Sequence, residues 1–107
     1  MSVDLIELME TVATGFPFTQ DRYISGDLGT PAKILAFAVS HSQKHMTKTT
    51  GQIASETEKY DHGGKMDLEK LKIATTKALV NTLNLASALG MTAEELAERV
   101  PQIMKIT

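Results

Sequence analysis

Apolar residues recur along this chain with the period of a helix, and almost no stretch alternates with the period of two that a half-buried strand needs. Near the N-terminus Leu5, Leu8, Met9 and Val12 share one face of a helix predicted over about Val3–Ala13, with Ser2 as N-cap, Asp4 in the first turn, and Gly15 and Pro17 to stop it. Between Gly15 and Thr30, Phe16, Phe18 and Tyr23 stand among Gly, Pro and Asp, which reads as a loop whose aromatics fold back on the core. Thr30-Pro31 opens a second helix, because a Thr cap followed by Pro at the first helical position costs no needed N–H.

That second helix is predicted to run for about 28 residues, with a main apolar stripe at Ala32, Val39, Met46, Ile53 and Tyr60, spaced by seven and flanked by Leu35. Ser42 and Thr49 follow the same interval. Asp61-His-Gly-Gly-Lys65 is a turn, and a third helix over Met66–Leu89 directs Leu68, Leu71, Ala78, Leu79, Leu85, Ala86 and Leu89 to one side. Gly90 ends it. Thr92-Ala-Glu-Glu95 is a capping box that starts a fourth helix with Leu96 and Val100 inward and Pro101 near its end. The expected fold is all-α: an antiparallel long-helix hairpin plus two shorter helices, the bundle being completed by oligomerisation.

With 107 residues the chain is read as one domain, and with 42% apolar and 22% charged residues it has a globular composition. Only 5% of residues are aromatic, so a lone copy is expected to be marginally stable and to associate with itself. The absence of cysteine removes disulfides, thiolate metal sites and cysteine nucleophiles, and suits a cytoplasmic location. The N-terminal stretch carries Asp4, Glu7 and Glu10 and reads as neither a secretory signal nor a transit peptide. The longest apolar run, Ile34 to Val39, is broken at Ser40 and His41, far short of the ~20 residues that span a bilayer, so no membrane partner is expected.

The net charge of −2 is unevenly spread: residues 1–30 hold five acids against Arg22, whereas residues 31–55 hold Lys33, Lys44, Lys48, His41 and His45 with no acid. His41 and His45, four apart on a helix, have the spacing of a metal-gripping pair, but HSQKH lacks a third ligand and Lys44 and Lys48 repel a cation. Glu56, Glu58, Asp61, Asp67 and Glu69 offer hard oxygen ligands near the turn, yet Lys59, Lys65 and Lys70 are interleaved with them, as on a solvated tip. At 100° per residue, His41, Lys44, His45 and Lys48 share one side of the second helix, and Lys77, Asn81 and Asn84 one side of the third, both opposite the main apolar face. Ile34, Phe37, Ile73 and Val80 lie on or beside these polar sides. A cover over them would turn the basic stripes into the lining of a cleft.

Two segments resemble the all-α nucleoside triphosphate pyrophosphohydrolases, the MazG-like family. Thr30-Pro-Ala-Lys-Ile-Leu-Ala-Phe-Ala-Val39 is similar to the start of the family's first long helix, and Ala78-Leu-Val-Asn-Thr-Leu-Asn-Leu-Ala-Ser-Ala-Leu-Gly-Met91 with Thr92-Ala-Glu-Glu-Leu96 is similar to its later helix, Gly turn and short last helix. The resemblance covers about Thr30 to Val100. It implies a dimeric or tetrameric helical bundle that binds Mg²⁺ through Glu-x-x-Glu and Glu-x-x-Asp motifs and cleaves nucleoside triphosphates to monophosphate and pyrophosphate. The sequence departs from the family at those motifs: the first falls on His41 and Lys44, the second on Ala74 and Lys77, so no carboxylate remains at any of the four positions.

The expectation is therefore a non-catalytic MazG-like protein with no metal cofactor, in which His41, Lys44, Lys77 and Asn81 contact a nucleotide or phosphate anion directly. A structural or protein-interaction module without a small ligand is the alternative. An active Mg²⁺-dependent enzyme using displaced carboxylates such as Glu56, Glu58, Asp61 or Asp67 is a further one. Nucleic acid is disfavoured, since only the distant Phe16, Phe18 and Tyr23 offer stacking surfaces.

Overall fold

A computed structural model describes residues 4–15 and 30–106. All four of its elements are helices: α1 (Leu5–Gly15), α2 (Pro31–Asp61), α3 (Leu68–Ala88) and α4 (Ala93–Ile106). The expected cap at Ser2, the expected stop at Pro17 and the aromatic segment with Phe16, Phe18 and Tyr23 lie outside the described residues. Asp4 caps α1 itself, its Oδ1 accepting from the Glu7 N–H at 2.8 Å, so the helix starts later than its apolar pattern implies and runs through Gly15. Thr30 caps α2 as the sequence predicts, with Pro31 behind it.

Both long helices end by the same backbone device. The Gly63 and Gly64 N–H groups return to the Tyr60 and Lys59 carbonyls at 3.0 and 2.8 Å, and those of Gly90 and Met91 to Ser87 and Ala86 at 3.0 and 2.9 Å. This double return needs one residue in the left-handed region, taken by Gly63 (φ 88°) and Gly90 (φ 74°), where a Cβ would be strained. Thr92 then caps α4, accepting from the Glu95 N–H at 3.1 Å. Pro101 does not end α4: the helix continues to Ile106, the proline removing a single N–H from the ladder.

The hydrophobic core lies between α1 and α3. Met9 and Val12 bury against Leu83 and Ala86, and Leu8, Val80, Met91 and Leu96 complete the cluster. The inward set predicted for α3 is corrected accordingly: Leu83 is buried while Leu68, Leu79 and Leu89 are largely exposed. Val100, expected inward on α4, is 55% exposed because α4 leaves the core after Leu96.

No α2 residue belongs to that cluster. α2 packs on α3, and its buried residues are Ala38, Ser42, Thr49 and Glu56, whereas in the predicted stripe Val39 and Tyr60 are exposed and Met46 and Ile53 half-buried. The last three of these buried residues also repeat every seven residues, three positions along from the greasier series. Small side chains there let the backbones approach closely, and Ala74, buried on α3, shares a face with Asn81, which reaches Thr49.

Candidate functional site

Moving the α2–α3 seam to Ala38, Ser42 and Thr49 brings the basic side of α2 next to that seam. A half-open groove of ≈ 910 Å³ results, lined from α2 by His41, His45 and Lys48 and from α3 by Lys77, Asn81 and Asn84. A volume of this order suits a small-molecule ligand. The polar sides were expected to face away from the helix pair; they border its junction instead.

Three of the four predicted ligand contacts, His41, Lys77 and Asn81, line this groove, and Lys44 does not. Lys48, one turn further along α2, supplies the cation on that wall. The heptad of small residues at Ser42 and Thr49 was the sequence signal for this, since Lys48 stands about 100° around the helix from Thr49, as His41 does from Ser42, whereas Lys44 stands about 200° from Ser42. Ile34 and Val80 line the groove as well, whereas Phe37 and Ile73 do not.

The floor is fixed by hydrogen bonds. Thr49 donates through Oγ1 to the His45 carbonyl at 2.9 Å and accepts from Asn81 Nδ2 at 3.4 Å. On the α2 wall the His41 ring stacks on Phe37, with centroids 6.0 Å apart, and meets the His45 ring edge-on at 4.4 Å. Burial, then the neighbouring His45 and Lys44, hold the His41 pKa below its ordinary 6.5. Near pH 7 the ring is thus mainly neutral. None of the described lining residues is Asp or Glu, so every formal charge among them is positive.

The acidic group near the turn is not gathered into a ligand cage: among the described residues no three His, Asp or Glu side chains stand together in that way. Two of its members hold backbone. Glu56, 5% exposed, accepts from the Asp67 N–H at 2.8 Å and pairs with Lys59 at 2.7 Å, while Asp67 caps α3 by accepting from the Lys70 N–H at 3.2 Å. The Lys59 hydrogen bond first, then that of Asp67, keep the Glu56 carboxyl below its ordinary 4.5.

No family model, curated protein or solved structure matches this chain significantly. The four positions that the resemblance aligns with metal ligands divide among three surroundings. His41 and Lys77 face the groove; Lys44 is exposed outside it, and Ala74 is buried. Among the described residues no helix is long and apolar enough to cross a membrane.

Proposed function

We propose that α2 and α3 form an antiparallel hairpin whose groove binds a phosphate-bearing anion, a nucleotide or a simpler phosphate, without a metal ion and without cleaving it. The observation that carries this reading is the charge of the lining: Lys48 on α2 and Lys77 on α3, with His41 and His45 further along the α2 wall, and no carboxylate among the described residues of the walls. Two cationic walls attract an anion, and amides at Asn81 and Asn84 can donate to its oxygens. The hairpin is supported by the order of its cross-links, Glu56 to Asp67 near the turn and Thr49 to Asn81 further from it. A MazG-like ancestry accords with four helices and with the replacement of the family's carboxylates at His41, Lys44, Ala74 and Lys77.

The test is thermal stability with phosphate, pyrophosphate and nucleoside mono-, di- and triphosphates, each in EDTA and in Mg²⁺. A ligand of the native state raises the melting temperature. Stabilisation in EDTA that fades with salt and is lost in Lys48→Glu and Lys77→Glu is the expected result. Stabilisation confined to Mg²⁺, with release of pyrophosphate, would instead establish the enzyme reading.

A second reading, self-association into a dimer or tetramer, is favoured by the end of α4. Val100, Ile103 and Met104 are 55%, 60% and 71% exposed in one apolar group. Large exposed apolar groups of this kind are uncommon on monomers.

A further inference from the structure

The groove is not uniform along its length. Toward the start of α2 its lining is apolar, with Ile34, Leu35 and Ala38 joined by Ala88 of α3 and Ala13 of α1. From His41 onward the α2 wall is polar or cationic, through His45 and Lys48 to Gln52. In an antiparallel register set by Thr49 and Asn81, Lys77 stands level with Ile53, about 7.5 Å beyond Lys48 along α2, so both lysines lie toward the same end. At 1.5 Å per residue, Ile34 and Lys48 are about 21 Å apart along α2. A free phosphate occupies only the cationic end and leaves the apolar half in water.

Resting on the anion-binding reading, we propose that the groove's ligand is an amphipathic anion, a phosphate monoester with a linear alkyl chain, its head between Lys48 and Lys77 and its chain along Ile34, Leu35 and Ala38. Charge complementarity fixes the direction. The head meets two ammonium groups and no described carboxylate, and the chain meets side chains that have no hydrogen bonds to offer it. Ile34 and Leu35, at 39% and 42% exposed, are the apolar surface such a chain removes from water. Asn84 and Ser87, also in the lining, stand on α3 where the two halves meet.

The experiment is isothermal titration calorimetry of the full chain with inorganic phosphate, butyl phosphate and n-tetradecyl phosphate, the last below its micelle concentration and long enough to approach Ile34 from Lys48, and with AMP as a non-alkyl monoester. The expected order of affinity is tetradecyl, butyl, phosphate, with tetradecyl at least about 100-fold tighter than phosphate, since each buried methylene contributes about fourfold. Ile34→Gln, at an exposed position, should shift the affinity for tetradecyl phosphate toward that for butyl phosphate, while Lys77→Glu should weaken all four ligands. Equal affinities for phosphate and tetradecyl phosphate, or AMP binding more tightly than tetradecyl phosphate, would overturn the alkyl inference and leave the anion site standing. Tetradecyl phosphate binding that neither variant alters would overturn it as non-specific adsorption. Failure of all four ligands to bind would remove the anion reading itself, and this inference with it.

Discussion

Asn81 of α3 donates through Nδ2 to the hydroxyl of Thr49 on α2 at 3.4 Å, and that hydroxyl donates onward to the His45 carbonyl at 2.9 Å. The second bond orients the first, because a hydroxyl with its proton committed can only accept from Asn81. Thr49→Val removes both bonds and keeps the shape. A double-mutant cycle with Asn81→Ala should give a coupling of about 0.5–1 kcal/mol, the low end for a neutral bond at this length, whereas additive effects would show the contact to be incidental.

Leu83 carries more of the stability. It is 3% exposed, between Met9, Val12 and the start of α4, and α1 has no other apolar anchor as buried on α3 apart from Ala86. Leu83→Ala should cost about 2–5 kcal/mol by denaturant unfolding. The same truncation at Leu79, 47% exposed, should stay within about 1 kcal/mol.

Glu56 makes stability fall in acid. Its folded pKa lies below the ordinary 4.5, so its contribution is fully present above that value and is lost as pH falls through the folded one. Glu56→Gln should flatten the acid limb of melting temperature against pH below about 4.5 and lower the melting temperature at pH 7. An unchanged acid limb would show that the Lys59 and Asp67 contacts do not persist in solution.

His41 acts at higher pH in the same direction. Its folded pKa is depressed, so the folded state resists the proton that the unfolded chain takes up, and stability is present above 6.5 and declines as pH falls through the folded value. His41→Gln should reduce the slope of stability between about pH 7.5 and 5.5. Bound anion should reverse that slope, because a protonated ring beside a phosphate is favoured.

Lys44 and Lys48 of α2 separate the groove from the solvated surface. Lys48→Glu should weaken phosphate binding about tenfold or more, as expected for loss of a charge-assisted contact, and Lys44→Glu should leave it within about twofold. Equal effects would mean that long-range charge, and not the groove, attracts the anion.

Much of the local structure is legible in the sequence because it depends on neighbours along the chain. Thr30-Pro31 starts α2, Thr92 starts α4, and Gly63 and Gly90 take the left-handed positions that end α2 and α3. The groove was legible in part: of the residues that the sequence singles out, His41, Lys77 and Asn81 line it, Lys44 does not, and Lys48 does. Helical periodicity locates a polar side to within one turn and cannot resolve which of two lysines on it borders a seam.

The sequence by itself determined the four helices, the caps of α2 and α4, the glycine stops of α2 and α3, and a cationic stretch on α2, since these follow from backbone preference and spacing; the caps at Asp4 and Asp67 came from the structure. Only the tertiary structure decided which of two seven-residue series on α2 meets α3. Val39, Met46, Ile53 and Tyr60 offer more apolar area, but Ala38, Ser42, Thr49 and Glu56 are the most buried residues of α2, Thr49 bonding Asn81 and Glu56 bonding Asp67. That turn of α2 about its own axis placed His41, His45 and Lys48 on a groove wall instead of in open water, because a side chain's surroundings depend on the partner helix and not on its own.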